Sequence, residues 1–576
     1  MAGPATELGL DRSGNGNNFT VAGTLGSDQM VDTPTNNFCT MNPLSQNVNA
    51  TLDEGNLQQT GANESHGGKE GTFTLPKTGK WYWEVYIKST DSSRGQGVGI
   101  GKAVYRDVNN WGNYTEFAGY MGSQETYGAS GGYSSYGANH AAGNIIGVAW
   151  NSDDTELTFY HNNSTQGTLT SFGSWISADA LVPILLGRNV VWVANFGQDS
   201  SFAGNTTAQG NQDSGGIGDF YYTPPSGFLA LCTKNLPAVD VVPSEHFTTL
   251  LNAGDSSGDE AFVTGFQPDW VWSFVRNVNA SHESVDSVRG ATKVLMLDQN
   301  DEELTDAESL ISFNSNGFTT GTNAGGWNRD SRNYAYYSWK GGEGSTSSNT
   351  DGDINSTVSV NSSGGFSIVS YTGNGSSNQT VGHGLGQDID MVIVKNRAAN
   401  NTDNWRAWHS GLTGNSYFLG LNQNATQSDS SAVFNGHSSS TFTIGNDSAV
   451  NNNGDAFIAY CFRSVVGYSK FGTYEGNNST DGSAVNLGFR PALVIIKDID
   501  TADHWHLWDN KRDTYNPSDT YFKISATVDE ESGSSWYIDF LSNGFKLRND
   551  DTNSNDAESY IYMAFAEVPF KYANAR

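Results

Sequence analysis

Two pairs of tryptophans occupy matching places late in the sequence, and their surroundings suit sugar binding. The segments NWRAWH (404–409) and HWHLWD (504–509) each set two tryptophans three positions apart, beside Asp, Asn or His. An exposed indole next to such polar groups can stack on a sugar ring. The matching segment ESVDSVR (283–289) carries Val285 and Val288 instead, and valine in place of tryptophan favours a buried core position. The candidate ligand-binding residues, with core packing as the alternative, are Trp405, Trp408, Trp505 and Trp508.

Patterns for nucleophilic catalysis or metal binding are incomplete. GDSSG (254–258) fits the Gly-x-Ser-x-Gly elbow of serine hydrolases, but no helical periodicity follows it, so we predict a loop. His504 and His506 would face one side of a strand, but the sequence points to no third metal ligand. The three cysteines lie far apart and form neither a disulfide framework nor a zinc motif. We therefore predict no catalytic residue, no cofactor and no metal site.

The composition indicates the fold class and excludes some partners. The chain has 576 residues, and Lys+Arg 30 against Asp+Glu 61 give a formal net charge of −31. Such a surface repels phosphate backbones and anionic headgroups, so we expect no nucleic-acid partner and no membrane binding. The 67 glycines, the 12% aromatic residues and the Asn/Ser/Thr tracts favour an all-β fold. The first residues lack the basic and apolar regions of a secretory signal, so we expect folding in a reducing cytoplasm.

An internal repeat fills the second half of the chain. Three phrases recur in the same order: a Gly-apolar pair leading into an apolar strand, a middle strand, and an aromatic-rich strand. Matching residues of the first and last phrases are 69, 72 and 72 positions apart. The copies of the three phrases occupy 265–276, 384–397 and 488–498; 292–300, 415–424 and 519–527; and 333–340, 455–463 and 558–567. This spacing predicts three copies of one β-sandwich with variable polar loops at its ends.

The predicted organisation is a tandem array of β-sandwiches preceded by an extended N-terminal arm. The arm shows no sustained periodicity, so we expect it to lie on the next domain or on a neighbouring subunit. A Gly/Ser/Asn-rich spacer separates repeats 1 and 2 and suits a flexible linker, whereas repeats 2 and 3 are expected to sit end to end. The predicted boundaries are an arm at 1–70, a first sandwich at 71–217, a Pro-containing connector at 218–245, repeat 1 at 246–341, the spacer at 342–365, repeat 2 at 366–466 and repeat 3 at 467–576.

The first sandwich resembles the SPRY domain. On its first long strand Trp81, Trp83, Val85 and Ile87 alternate with polar or tyrosine residues. Five phrases keep the family's order, at 79–85, 98–101, 143–148, 157–163 and 195–197. Asn144 stands where the family has Asp. The resemblance implies a concanavalin-like sandwich that is not an enzyme and that binds partners through loops at one end.

The chain also resembles structural proteins of tailed phages, especially phages of marine bacteria. The phrases that carry this resemblance are LDRSGNGNNFT (10–20), YYTPPSGFLALCTKNLP (221–237) and PFKYANAR (569–576). The resemblance implies a virion protein, assembled in the host cytoplasm and released by lysis. It would be a tail fibre or receptor-binding protein that attaches to host-surface glycans through sandwich-end loops. The implied partners are other virion proteins and further copies of this chain, with a trimer favoured because many weak sites would act together.

Three alternatives stay open at this stage. The protein could be a head or tail decoration fibre without receptor specificity, or a bacterial adhesin exported by another route. It could also be a polysaccharide depolymerase, because acidic loops occur at 298–309 and 549–559. Cleavage of a glycosidic bond needs two carboxylates held about 5–10 Å apart, and the sequence does not bring any pair together.

Overall fold

The structure is a computed structural model of the chain. It describes residues 16, 18, 32–33, 35–45, 49–61, 67–90, 96–102, 116–123, 125–128, 132–177, 181–257, 259–322, 325–533, 536–551 and 553–573. These residues belong to two compact units, Met1–Ala238 and Val239–Arg576. Strands dominate both units, and the one α-helix within the described ranges is α1 (Ser448–Asn451). The predicted all-β fold is confirmed.

The first unit is a β-sandwich of two sheets. Its strands, in chain order, are β1 (Ala50–Asp53), β2 (Gln58–Gly61), β3 (Gly67–Glu70), β4 (Lys80–Ser89), β5 (Gly97–Lys102), β6 (Phe117–Met121), β7 (Glu125–Gly128), β8 (Gly132–Ser135), β9 (Ile145–Asn151), β10 (Glu156–His161), β11 (Ser164–Leu169), β12 (Leu181–Gly187), β13 (Val191–Asn195) and β14 (Leu229–Ala230). The larger sheet has the order β1-β2-β13-β4-β9-β10-β11, and β14 pairs parallel to β4. The second sheet has the order β3-β12-β5-β6-β7-β8.

Strand β4 buries both of its faces. Trp81 and Trp83 are buried, as the alternation predicts. Tyr82 and Glu84 on the opposite face are buried as well, at 2% and 0% exposure. Phe220 covers this face, with its ring centroid 5.4 Å from that of Tyr82. A strand covered on both sides needs an additional layer, and the segment after residue 218 provides it.

The first part of the predicted connector (218–245) is therefore not a linker. The backbone N–H groups of Tyr221 and Tyr222 donate to the carboxylate of Glu84 at 2.8 and 2.7 Å. Cys232 is buried in the same small apolar cluster as Phe220. Because the carboxylate binds this segment to the central strand, residues up to 238 belong to the first unit.

Part of the predicted arm (1–70) also lies in the sandwich. Strand β2 pairs with β13, and β3 pairs with β12, so the sandwich begins well before residue 71. These strands have four residues each, QQTG and GGKE, and their Gly and Gln residues carry no apolar alternation. Most of residues 1–31 lie outside the described residues.

The second unit contains three sandwiches of one design, which confirms the predicted threefold repeat. The strands of repeat 1 are β15 (Phe247–Ala253), β16 (Glu260–Val263), β17 (Trp270–Val275), β18 (Glu283–Asp286), β19 (Lys293–Met296), β20 (Leu304–Thr305), β21 (Leu310–Asn314), β22 (Gly317–Thr320) and β23 (Asn333–Trp339). Those of repeat 2 are β24 (Ser347–Asn349), β25 (Ser356–Asn361), β26 (Phe366–Thr372), β27 (Gln379–Gly382), β28 (Met391–Asn396), β29 (Arg406–His409), β30 (Tyr417–Phe418), β31 (Ser428–Asp429), β32 (Phe434–His437), β33 (Thr441–Ile444) and β34 (Ala456–Phe462). Those of repeat 3 are β35 (Ser469–Glu475), β36 (Ala484–Asn486), β37 (Phe489–Asp498), β38 (His506–Asp509), β39 (Thr520–Lys523), β40 (Glu531–Ser532), β41 (Ile538–Leu541), β42 (Gly544–Leu547) and β43 (Ser559–Pro569).

Each repeat combines a large sheet with a three-stranded sheet. The large sheets have the orders β15-β23-β17-β18-β19-β20, β24-β25-β26-β34-β28-β29 and β35-β43-β37-β38-β39-β40. The small sheets have the orders β16-β22-β21, β27-β33-β32 and β36-β42-β41. The predicted flexible spacer (342–365) is wrong, because β24 and β25 extend the large sheet of repeat 2 and β25 pairs with β26 along its whole length. The sequence STVSVN does alternate, and its Val358 is buried.

The three repeats close into a ring around a shared apolar core, instead of repeats 2 and 3 lying end to end as predicted. One cluster of buried apolar residues runs through all three repeats. Trp339, Phe462 and Phe565 occupy equivalent places in β23, β34 and β43. Phe565 lies 6.0 Å from Phe462 and 5.7 Å from Trp339 between ring centroids. A string of separate domains would not bring these three positions together.

Each repeat donates a ring N–H to a backbone carbonyl of another repeat, at the same place in every interface. These hydrogen bonds run from His282 Nε2 to Lys523 O (3.1 Å), from Trp405 Nε1 to Met296 O (2.9 Å) and from Trp505 Nε1 to Gly420 O (3.0 Å). Repeat 1 thus donates to repeat 3, repeat 2 to repeat 1, and repeat 3 to repeat 2. We write the interfaces as 1→3, 2→1 and 3→2, with the donor first.

Candidate functional site

The four candidate tryptophans are buried and cannot stack on a sugar. The exposed fractions of Trp405, Trp408, Trp505 and Trp508 are 0%, 4%, 2% and 0%. Stacking needs an exposed ring face, so the predicted ligand-binding role is wrong and the core alternative is correct. Trp405 and Trp505 instead supply two of the ring N–H groups that join the repeats.

The sequence alignment of these segments is three residues out of register in repeat 1. Strand pairing makes Asp286 and His409 equivalent, because they pair with equivalent residues of β17 and β28. His282 therefore takes the place of Trp405, and Val285 takes the place of Trp408. A histidine in place of tryptophan keeps the ring N–H donor, and sequence spacing alone did not reveal this shared role.

Replacing Trp505 with phenylalanine is expected to lower the free energy of unfolding of the second unit by about 1 kcal/mol. The ring stays, but Gly420 O loses its hydrogen bond from Nε1. Urea denaturation followed by fluorescence measures the loss. Trp408→Phe is the matched control, because Trp408 Nε1 has no hydrogen-bond partner within the described residues. Equal losses in the two variants would contradict a role for the Trp505 N–H.

GDSSG (254–258) is a loop, and the same loop occurs in all three repeats. It follows the first strand common to the repeats, where repeats 2 and 3 have GNGS (373–376) and GNNS (476–479). The N–H groups of the three leading glycines donate to Arg332 O, Asp455 O and Glu558 O at 2.8, 2.9 and 3.0 Å. Residue 258 lies outside the described residues. We call residues 254–257, 373–376 and 476–479 the clamped loops.

A buried asparagine holds each clamped loop. Asn328, Asn451 and Asn555 are each 0% exposed. Their side-chain oxygens accept the N–H of the second loop residue, from Asp255 (3.3 Å), Asn374 (2.8 Å) and Asn477 (3.2 Å). Their backbone carbonyls accept the N–H of the third loop residue at 3.1, 3.0 and 2.6 Å. The loop backbone is thereby fixed in the same conformation at three equivalent points of the ring.

The side chains of the clamped loops are small and polar. Asp255 and Asn374 are exposed, and Asn477 is half-exposed. Hydrogen bonds from the Ser257 hydroxyl and N–H, at 2.6 and 2.8 Å, hold the pKa of the Asp255 carboxyl below its usual range, so it stays ionised. Rigid loops that present amide, hydroxyl and carboxylate groups suit a hydroxyl-rich ligand, since little conformational entropy is lost on binding. The G-[DN]-x-S pattern was readable in the sequence once the repeats were aligned.

The acidic segments that suggested glycoside hydrolysis contain carboxylates that stabilise the fold. Asp298 accepts the N–H of His282 at 3.1 Å and the hydroxyl of Thr527 at 2.6 Å. Asp551 accepts the N–H of Asn553 at 2.9 Å. Whether the chain cleaves polysaccharide is a question for experiment.

His504 and His506 differ from the predicted pair on one strand face. His504 precedes β38, and its Nδ1 lies 2.8 Å from Ser525 Oγ. His506 is buried beside Trp508 and Trp536, and this burial holds the pKa of its imidazole well below the usual value. In the part of the chain that the structure describes, no three His, Cys, Asp or Glu side chains are grouped to hold a metal ion. Cys39, Cys232 and Cys461 are buried free thiols.

No described helix has both the length and the apolar character needed to cross a bilayer. The matches to known proteins concern the two units separately. A family model of the SPRY domain matches residues 80–199, so the first unit contains a SPRY-like domain. Among similar solved structures, the SPRY domain of human HERC1 is 16% identical with a TM-score of 0.23, covering 27% of this chain and 96% of that chain. The TRIM65 PSpry domain is 17% identical with a TM-score of 0.22, covering 27% of this chain and 92% of that chain.

No curated protein matches the chain. A family model described as "Domain of unknown function (DUF7483)" matches residues 242–569, which is more than half of the chain. This range includes all three repeats, so the matched unit is the whole ring and not a single sandwich. The chain belongs to the family of the Domain of unknown function (DUF7483).

Proposed function

We propose that this protein is a structural component of a tailed-phage virion, a tail fibre or receptor-binding protein that attaches to host-surface glycans. The phrases at 10–20, 221–237 and 569–576, which resemble phage structural proteins, support the virion assignment. The SPRY-like domain supports a role in recognition. Its partners would be other virion proteins, further copies of this chain in a trimer, and the host glycan.

The observation that carries the attachment proposal is the set of three clamped loops. Each presents a short polar side chain at its second position, on a backbone held by a buried asparagine. Three equivalent sites on one ring can bind a repeating polysaccharide at several points, so weak single contacts add to a useful affinity. Binding of this kind requires no catalytic group.

Removing the three second-position side chains is expected to weaken binding to host polysaccharide strongly. Each of Asp255→Ala, Asn374→Ala and Asn477→Ala removes about one hydrogen bond to the ligand, which corresponds to roughly a fivefold loss. The triple variant is expected to lose about 100-fold, because the three contacts act together. Adsorption of the purified protein to host cells and titration with purified host polysaccharide measure the effect.

Val466→Ala is the matched control. Val466 is 85% exposed and lies beyond the opposite end of β35 from its clamped loop. Circular dichroism verifies that all variants fold. A wild-type protein that binds neither host cells nor polysaccharide would contradict attachment and favour a decoration protein. Release of oligosaccharides from the polysaccharide would favour the depolymerase.

A further inference from the structure

Five equivalent positions line each interface of the ring, and they are charged in two interfaces and neutral in the third. Two positions lie on the donor face of a repeat and three on the acceptor face. Their equivalence follows from the strand pairing around Trp270, Met391 and Leu493. In the order of repeats 1, 2 and 3, the donor positions are Tyr337, Tyr460, Met563 and Arg276, Arg397, Ile499; the acceptor positions are Asp286, His409, Asp509; Arg289, Leu412, Arg512; and Glu303, Gln427, Glu530.

Interface 1→3 contains a connected network of ions. The Tyr337 hydroxyl donates to Asp509 Oδ2 at 2.8 Å, and Asp509 also pairs with Arg512. Arg276 binds both oxygens of Glu530 at 2.8 and 3.0 Å. Arg512 Nη1 lies 3.2 Å from the same carboxylate. The side chains of Asp509 and Arg512 are fully buried, so each depends on the other for its charge to be tolerated.

Interface 2→1 repeats the network contact by contact. The Tyr460 hydroxyl donates to Asp286 Oδ2 at 2.7 Å, and Asp286 pairs with Arg289. Arg397 binds both oxygens of Glu303 at 3.0 and 3.2 Å. Arg289 Nη1 lies 3.5 Å from Glu303. The same five contacts in two places show that the set is a constant feature of these interfaces.

Interface 3→2 has lost all five polar or charged members together. His409 Nε2 donates to Tyr562 O at 3.1 Å, and the N–H of Gln427 donates to Ile499 O at 3.2 Å. The positions held by arginine and tyrosine elsewhere belong to the buried apolar cluster. Burial lowers the pKa of His409 to about 4, so its imidazole is neutral at physiological pH. This interface contains no unmatched charge among the five positions.

We propose that the five positions act as one set that determines which repeat faces can join. A charged face against a neutral face would leave a buried ion without its partner, and this is costly. Donor faces are charged on repeats 1 and 2, and acceptor faces are charged on repeats 1 and 3. The neutral donor face of repeat 3 therefore matches only the neutral acceptor face of repeat 2. Repeat 1 must then join repeat 3, and repeat 2 must join repeat 1, so one closed order remains.

The test restores the charged set to interface 3→2 of the full chain. One half-set is His409→Asp, Leu412→Arg and Gln427→Glu, and the other is Ile499→Arg and Met563→Tyr. Each half-set is expected to lower the folding equilibrium constant of the second unit by roughly 100-fold, because its buried charges face neutral partners. The full set of five is expected to recover at least about tenfold relative to the sum of the halves. Hydrogen exchange of the peptides containing Gln427 and Tyr562 is expected to rise in each half-set and to fall again in the full set.

A reverse cycle in interface 2→1 covers the case in which a restored charge prevents folding. Its half-sets are Asp286→His, Arg289→Leu and Glu303→Gln on one face, and Arg397→Ile and Tyr460→Met on the other. The complete neutral set is again expected to be more stable than the sum of its halves by at least about tenfold. Half-sets that are tolerated, or full sets that show no recovery in either cycle, would overturn the proposal.

Discussion

Asp286→Ala is expected to lower the free energy of unfolding of the second unit by about 3–5 kcal/mol. The carboxylate accepts the Tyr460 hydroxyl at 2.7 Å and the N–H groups of Val288 and Arg289 at 3.0 and 2.8 Å. It also neutralises the guanidinium of Arg289, whose side chain is fully buried. Arginine does not lose its proton in a protein, so the variant leaves a buried cation with only the more distant Glu303.

Chemical denaturation of the full chain, monitored for the second unit, measures this loss. Asp330→Ala removes the same charge from an exposed position of repeat 1 and is expected to change the stability by less than about 0.5 kcal/mol. The difference between the two variants separates the buried pair from a change in net charge. If Asp286→Ala and Asp330→Ala behaved alike, Asp286 would not carry the interface.

The repeat could be predicted from the sequence because its strands are distinctive. Apolar runs such as WVWSFV, MVIVKN and FRPALVIIKD recur at nearly constant spacing, and each forms the central strand of a large sheet. The burial of the candidate tryptophans was also indicated, since valine stands at one of the equivalent positions. These signals are local, and they survive without knowledge of which strands pair.

The closed ring could not be predicted from the same signals. Its interfaces depend on single polar residues such as Tyr337 and Asp509, which are 172 positions apart in the chain. Tyr337 reads as one more aromatic residue in NYAYYSW until the strand register assigns it to the interface. The short strands before residue 71 were missed for a different reason, because Gly- and Gln-rich segments pair through their backbone and show no apolar period.

The stability of repeat 1 is expected to fall between about pH 4.5 and 7 through the ionisation of Glu283. Burial raises the pKa of this carboxyl from its ordinary value of 4.5 to about 7, and Asp306 and Asp298 raise it further, whereas Trp327 Nε1, which donates at 2.6 Å, and Arg332 lower it. A carboxyl whose pKa is higher in the folded state stabilises the fold when protonated, and this contribution is lost as the pH rises through the folded value. At 1.36 kcal/mol per pKa unit, the loss amounts to roughly 3 kcal/mol.

Glu283→Gln isolates this contribution because glutamine keeps the shape of the protonated acid and an oxygen that can accept the Trp327 N–H. Near pH 4.5 the variant and the wild type are expected to have similar free energies of unfolding. Above pH 7 the variant is expected to be the more stable by up to roughly 3 kcal/mol, since it never buries a charge. Glu245→Gln, on an exposed residue, makes the same charge change and is expected to give a difference that stays nearly constant with pH. Other titrating groups affect variant and wild type equally, so a flat difference for Glu283→Gln between pH 4.5 and 8 would show that the buried carboxylate ionises without cost.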